Sequence, residues 1–267
     1  MSTNLDFMAP LFVPGDRPER FEKAAACGAD AVIIDLEDAV APDAKSVARS
    51  NLRADFASVP VLVRINGFGT PWHSDDLTTA SRLPFAAMVI PKAELVPEML
   101  AVSSSARLPI VPLIETARGL ADARRLAALP GVKRLAFGSI DFCVDLCCSH
   151  TREALLLPRS ELVLASRLAS RPAPIDGVTT TFKNPSLVSA DAAHARNMGF
   201  GGKLCIHPDQ VQPVLKEFRP VESDIEWARR ILASGSGATS IDGAMVDAPI
   251  RARARHILRA SGLLLNV

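Results

Sequence analysis

Along this chain, short apolar runs break off abruptly into charged residues, and helix-like segments lead from one run to the next. The pattern is clearest between Ile110 and Asp145. There Ile110–Ile114 runs straight into Glu115, and Arg134–Phe137 is followed four residues later by Asp141, with a helix-like stretch Leu120–Leu129 between them. Continuous rather than alternating apolar runs mark strands buried on both faces, the parallel strands of an α/β fold. Strand–helix–strand order places Glu115 and Asp141 at the same end of two neighbouring parallel strands. Two carboxylates at a strand mouth suit a hard divalent cation such as Mg²⁺, with Mn²⁺ the alternative, because the remaining octahedral positions go to water and substrate oxygens. Either acid alone also reads as a helix cap. The pair favours the metal.

Earlier in the chain the same rhythm holds. Ala9–Val13 reads as a strand entering PGDRPER, where Pro18 suits the first turn of a helix running to Cys27. That helix start, with Arg17 and Arg20 beside it, is a candidate phosphate site; the alternative is a cap by Asp16 with both arginines solvated. Ala31–Asp38, AVIIDLED, is a second strand ending in three acids, of which Asp35 and Glu37 share a face by the period of two. Unpaired, they would be costly to bury. A helix is expected from Pro42 to about Asp55. In the third strand, Val61–Asn66, Arg64 stands among apolar neighbours. It can pair with Asp35 or Glu37, hold a substrate carboxylate in its planar fork, or do both. A fourth strand, Ala86–Pro91, ends at Lys92, which is either an ion-pair partner or a Schiff-base amine, and a helix Leu95–Ser103 follows.

Beyond Asp141, residues 143–157 read as irregular helix and loop, and Arg159–Arg171 as helix. Pro174–Thr180 and Lys203–His207 are strands seven and eight, followed by helices Ser189–Met198 and Val211–Phe218. His207 reads as a base or as a structural hydrogen-bonding group. Eight strand–helix units in about 210 residues predict a (β/α)₈ TIM barrel over residues 1–219, whose strand ends gather at one rim. An open doubly wound sheet would need a glycine-rich fingerprint after the first strand, which is missing. Residues 220–267 read as a C-terminal helical extension: a helix Ser223–Ala233, a flexible SGSGATS segment, and a basic helix Ile250–Ala260. Asp247, before Pro249, is either the cap of that last helix or a catalytic group carried by a lid.

A net charge of +1 argues against nucleic acid or a membrane surface as the main partner. No apolar run approaches the ~20 residues needed to span a bilayer. The first residues lack a basic segment followed by an apolar one, so no secretory signal is expected. The five cysteines have no disulfide or zinc spacing, which points to a reducing cytoplasm. With no tyrosine present, acid–base chemistry falls to carboxylates, His or Lys.

LFVPGDRPERF, AVIIDLEDAVAP, VRIN, VIPKAE, LIETARGL, FGSIDF, GKLCIHP and GAMVDAP together resemble the citrate lyase β-subunit family. Its relatives are malyl-CoA and citramalyl-CoA lyases within the HpcH/HpaI aldolase superfamily. The resemblance spans almost the whole chain in order. It implies a TIM barrel, commonly trimeric or hexameric, in which Glu115 and Asp141 bind Mg²⁺ and Arg64 holds the keto-acid portion and steadies enolate charge. By the same resemblance Glu37 and Asp38 are acids of the strand-two site, Arg17 lies near the CoA tail, and Asp247 acts as acid/base in a neighbouring subunit. Two departures bear on the pocket. Asp145-Leu146-Cys147 stands where the family has Asp-Leu-Gly, and Thr179–Thr181 where bulkier residues are common.

The activity implied is reversible carbon–carbon cleavage of a 3-hydroxyacyl-CoA thioester to acetyl-CoA and a 2-oxo acid. Three alternatives stay open: an aldolase acting on free hydroxyketoacids, a Schiff-base aldolase using Lys92 or Lys203, and a subunit docked to an acyl-carrier protein.

Overall fold

The structure is a computed structural model that describes residues 5–235, 239–241, 244–261 and 263. Its centre is a sheet of eight parallel strands in chain order: β1 (Pro10–Pro14), β2 (Ala31–Asp35), β3 (Val61–Arg64), β4 (Ala87–Ile90), β5 (Ile110–Ile114), β6 (Ala136–Phe137), β7 (Ile175–Asp176) and β8 (Gly202–Lys203). Just past β8, Cys205 bridges back to Leu11 of β1: the Phe12 N–H donates to the Cys205 carbonyl and the Cys205 N–H to the Pro10 carbonyl, both at 2.9 Å. The sheet closes into a (β/α)₈ barrel.

The helices that follow the strands are α1 (Phe21–Ala26), α2 (Lys45–Ser50), α3 (His73–Ala80), α4 (Pro97–Ser105), α5 (Ala117–Ala121), α6 (Ala123–Ala128), α7 (Ser139–Asp145), α8 (Leu156–Leu168), α9 (Pro185–Met198) and α10 (Val211–Phe218). Alternate strand residues fill the barrel interior, Ile33, Leu62, Val89, Val111, Leu113 and Ile175 among them. The residues between them, such as Ile34, Val63, Ile90 and Ile114, are equally buried. Burial on both faces explains why the runs are continuous.

At the strands' N-terminal ends the barrel is plugged by Arg134. Its guanidinium donates to the carbonyls of Ala173 and Phe7 at 2.7 Å and to that of Leu5, and lies over the Phe7 ring. Full burial pulls its pKa down to about 10. The opposite, C-terminal rim is left for chemistry.

Some elements differ from expectation. The segment Pro42–Asp55 is a 3₁₀ turn, Pro42–Ala44, followed by a short α2 that ends at Ser50. Strands seven and eight are two residues each, although Val178 and Leu204 just beyond them still pack on the barrel interior. Helix α3 went unanticipated: its Asp75, Asp76, Thr78 and Thr79 hide the apolar period, and its buried Asp76 instead bonds Asn66 and Arg49.

The chain divides into two compact units, Met1–Leu215 and Lys216–Val267, four residues earlier than the boundary expected after residue 219. In the second unit, α11 (Glu222–Ala233) packs on α12 (Ala248–Ala260) around Ala228, Ile231, Val246, Ala254 and Leu258. A hairpin of β9 (Thr239–Ile241) and β10 (Ala244–Val246) lies between the two helices in sequence, and residues 236–238 of the SGSGATS segment lie outside the described residues.

Candidate active site

Arg64 closes β3 and pairs in register with Asp35, the last residue of β2. Its Nε and Nη2 grip both oxygens of Asp35 at 2.7 and 2.6 Å, and Nη1 donates to Asp38 at 3.2 Å and lies 2.9 Å from Glu37 Oε2. The guanidinium rests over the Phe12 ring. Because β2 ends at Asp35, the period of two no longer applies to the acids behind it, and all three turn to one arginine.

Burial alone would lower the Arg64 pKa, but the charges of Asp35, Glu37 and Asp38 raise it above the ordinary arginine value. Burial would likewise raise Asp35, yet the Arg64 charge and fork, with N–H bonds from Glu37 and Ala39, hold its carboxyl below the usual range. For Glu37 burial wins over Arg64 and Lys92, and its carboxyl is raised. Three of the five guanidinium N–H groups are directed to Asp35 and Asp38, which leaves two outside those bonds.

Glu115 follows β5 directly and is 1 % exposed. It caps nothing: the N-cap of α5 is Thr116, whose hydroxyl accepts from the Gly119 N–H at 2.9 Å. Instead its Oε1 accepts from the Lys92 N–H at 2.7 Å. Burial first, then the charge of Glu37 and, less strongly, that of Asp141 push its carboxyl up to about 8. Asp141 lies in the first turn of α7 and is not its cap, a position held by Gly138.

The two acids share a cavity of about 360 Å³ with Arg64, Asp35, Asp38 and Phe12, walled further by Gly138, Ser139 and Val178. Gly138 has an ordinary φ of −92°. What demands glycine there is space, since a Cβ would strike Glu115 Oε2 and stand 2.5 Å from its Cβ. The chain thus cradles one buried carboxylate beside a second, under mutual repulsion, with ligand volume in front of them. That donor set fits a hard cation completed by water and substrate oxygens. Among the described residues, no three His, Cys, Asp or Glu side chains converge on a common metal position.

Several expected residues take other places. Lys92 donates from Nζ to Glu37 Oε1 at 2.6 Å. Although burial lowers its pKa, that bond and the charges of Glu37 and Glu115 raise it, and a protonated amine is no Schiff-base nucleophile. Lys203 is buried and bound to Asp176 at 3.0 Å and the Gly177 carbonyl at 2.6 Å, in a cluster completed by Arg159. His207 accepts from the Asp209 N–H at 3.2 Å and stacks on Phe182, a capping role. Arg17 and Arg20 are exposed, with Asp16 at 3.9 Å from Arg17, and Asp16 makes no cap bond to the short helix there. Thr179 faces Asp191 at 2.9 Å, so Val178 lines the cavity in place of the threonines. Cys147 adopts φ +52°, the conformation that a glycine at this position takes without strain. In the second unit, Asp247 caps α12 by accepting from the Ile250 N–H at 3.2 Å.

Gly138, Phe12 and the double bonding of Lys92 were missed by sequence reasoning. Gly138 carried a readable signal, as a glycine directly after a buried run and before the second acid.

The family model HpcH/HpaI aldolase/citrate lyase matches residues 9–208. The chain is 37% identical over 271 residues to a citrate lyase subunit beta-like protein of Deinococcus radiodurans, covering 93% of this chain and 95% of that protein. It is 34% identical over 257 residues to a (3S)-malyl-CoA thioesterase of Cereibacter sphaeroides, covering 90% of each. The crystal structure of CitE from Mycobacterium tuberculosis in complex with magnesium, acetoacetate and coenzyme A superposes with a TM-score of 0.84 at 36% identity, covering 96% of this chain and 98% of that one. With the family matched across the barrel and relatives matched across nearly the full length, this chain belongs to the HpcH/HpaI aldolase/citrate lyase family and is a lyase.

Proposed function

We propose that this lyase cleaves, and in reverse forms, the carbon–carbon bond of a 3-hydroxyacyl-CoA thioester bearing a second carboxylate. Malyl-, citramalyl- and citryl-CoA are the candidate substrates, and the products are acetyl-CoA and a 2-oxo acid. One observation carries the reading: Glu115, Asp141 and the Arg64 fork face a single cavity. CitE of Mycobacterium tuberculosis, bound to magnesium, acetoacetate and coenzyme A, supports it. Mg²⁺ held by Glu115 and Asp141 supplies Lewis acidity toward the oxygens of an α-oxo acid.

The protein's own groups do the rest. As the bond breaks, the hydroxyl gives its proton to solvent water and becomes the carbonyl of the 2-oxo acid. The electron pair of the broken bond passes to the acetyl thioester fragment as an enolate, whose charge the spare N–H groups of Arg64 offset. Asp35, Glu37 and Asp38 orient that guanidinium. Arg17 is assigned to the CoA tail. Asp247 of an adjacent copy protonates the enolate carbon, or removes a methyl proton in the condensing direction. This role requires a homo-oligomer, a trimer or hexamer, and the proposed compartment is the cytoplasm. An acyl-carrier protein presents the same phosphopantetheine arm as coenzyme A and is the alternative carrier.

The test incubates the protein with Mg²⁺ and the three thioesters, following 2-oxo acid and free thiol together. Oxo acid released from at least one thioester, abolished by EDTA and not seen with the free acids, is the expected result. Thiol release without oxo acid would instead make the chain a thioester hydrolase. Turnover that resists EDTA and is trapped by borohydride would move the chemistry to a lysine. Asp247→Ala should leave KM nearly unchanged and cut turnover by ~10²–10⁴-fold, the usual range for a general acid/base.

A further inference from the structure

Lys92 is bonded at both ends. Its N–H fixes Glu115 Oε1 at 2.7 Å, and its Nζ fixes Glu37 Oε1 at 2.6 Å. It does so from a φ of +46°, one of three left-handed non-glycine residues among those described. Such a conformation costs a lysine energy that a glycine would avoid. Glycine would keep the N–H but lose the ammonium, so the side chain is what the strained position retains.

The carboxylate it restrains is unusual. Glu37 is buried, and its Oε2, though 2.9 Å from Arg64 Nη1, accepts no aligned hydrogen bond. Its Oε2 therefore keeps lone pairs that no aligned N–H occupies, on a side chain tied through Lys92 to Glu115. Even so, no third acid converges with Glu115 and Asp141 among the described residues.

We infer that Lys92 is a positioning residue that holds Glu37 off the cation, keeping the carboxylate count at two so that coordination positions stay open for the substrate. The inference rests on the cation site proposed above. A third carboxylate would raise the charge and ligand number of the site, tightening cation binding while filling a position that an α-oxo acid needs. A residue that merely supported the fold would weaken both when removed.

The experiment measures Mn²⁺ affinity by electron paramagnetic resonance on the full chain without substrate, then pyruvate binding to the Mn²⁺-loaded protein. Lys92→Met retains the backbone N–H and the length of the side chain. It is expected to bind Mn²⁺ at least about threefold more tightly, as added ligand charge does, and pyruvate about tenfold more weakly. Lys92→Arg, whose guanidinium still reaches Glu37, should restore both values. Adding Glu37→Gln to Lys92→Met should return Mn²⁺ affinity to that of the wild type. Weaker Mn²⁺ binding in Lys92→Met, or unchanged pyruvate affinity, overturns the inference while leaving the lyase reading intact. A wild-type protein that binds no Mn²⁺ overturns both.

Discussion

Replacing Gly138 by alanine adds one methyl group at the point where β6 passes closest to the buried Glu115. The new Cβ would overlap Glu115 Oε2 and sit 2.5 Å from its Cβ and 3.0 Å from its Cδ. No flexible tip is available to yield. Glu115 is anchored by the Lys92 N–H at 2.7 Å, and the Gly138 N–H is tied to the Ile114 carbonyl at 2.9 Å. Overpacking of this kind costs about 1–3 kcal/mol. At roughly 2–4 °C per kcal/mol for a domain of this size, the melting temperature should fall by roughly 2–12 °C. Since any adjustment must displace the whole Glu115 side chain, cation binding should be lost even where the protein remains folded. Calorimetry paired with Mn²⁺ titration reads both effects. A Gly138→Ala protein that melts within a degree of wild type and binds Mn²⁺ normally would refute the claim that this glycine exists to make room for Glu115.

Two further outcomes follow from strain and charge. Cys147 is exposed and left-handed. Cys147→Gly should therefore leave stability unchanged or raise it by up to about 1 kcal/mol, the left-handed strain relieved being offset by glycine's larger unfolded entropy; a loss beyond that in urea unfolding would count against it. Asp35 and Asp176 both have folded pKa values below the ordinary 3.8, for although burial raises each, Arg64 lowers the first and Lys203 with Arg159 the second. Unfolding releases these carboxyls to higher pKa values, so their stabilisation is complete above pH 3.8 and is lost as pH falls through the folded values. Unfolding free energy contributed by the two groups should be level above pH 5 and decline below 3.8. Asp176→Asn should flatten part of that decline.

The barrel was legible because burial on both faces writes itself as continuous apolar runs: Ile110–Ile114 and Val211–Phe218 have the boundaries the sequence suggests. Strands seven and eight were overextended because apolar residues such as Val178 and Leu204 keep packing on the interior after the ladder has ended. At the site, Arg64 among apolar neighbours announced a partner, and the structure supplies Asp35, Glu37 and Asp38 together. What the pattern could not convey was the distance between strands two and four across which Lys92 meets Glu37, since nothing local in either motif names the other. The same holds for Thr179, whose side chain turns toward Asp191 on α9, a helix that begins after a further loop.

The seam where Cys205 returns to Leu11 has a consequence for how the molecule is made. A nascent chain cannot finish its barrel until its last strand leaves the ribosome, and until then the first strand and the latest to emerge expose unpaired edges open to wrong partners. The two-residue length of β6, β7 and β8 limits that hazard, because so little ladder is offered to a stranger. Truncation before residue 205 should yield an aggregating fragment instead of a smaller enzyme.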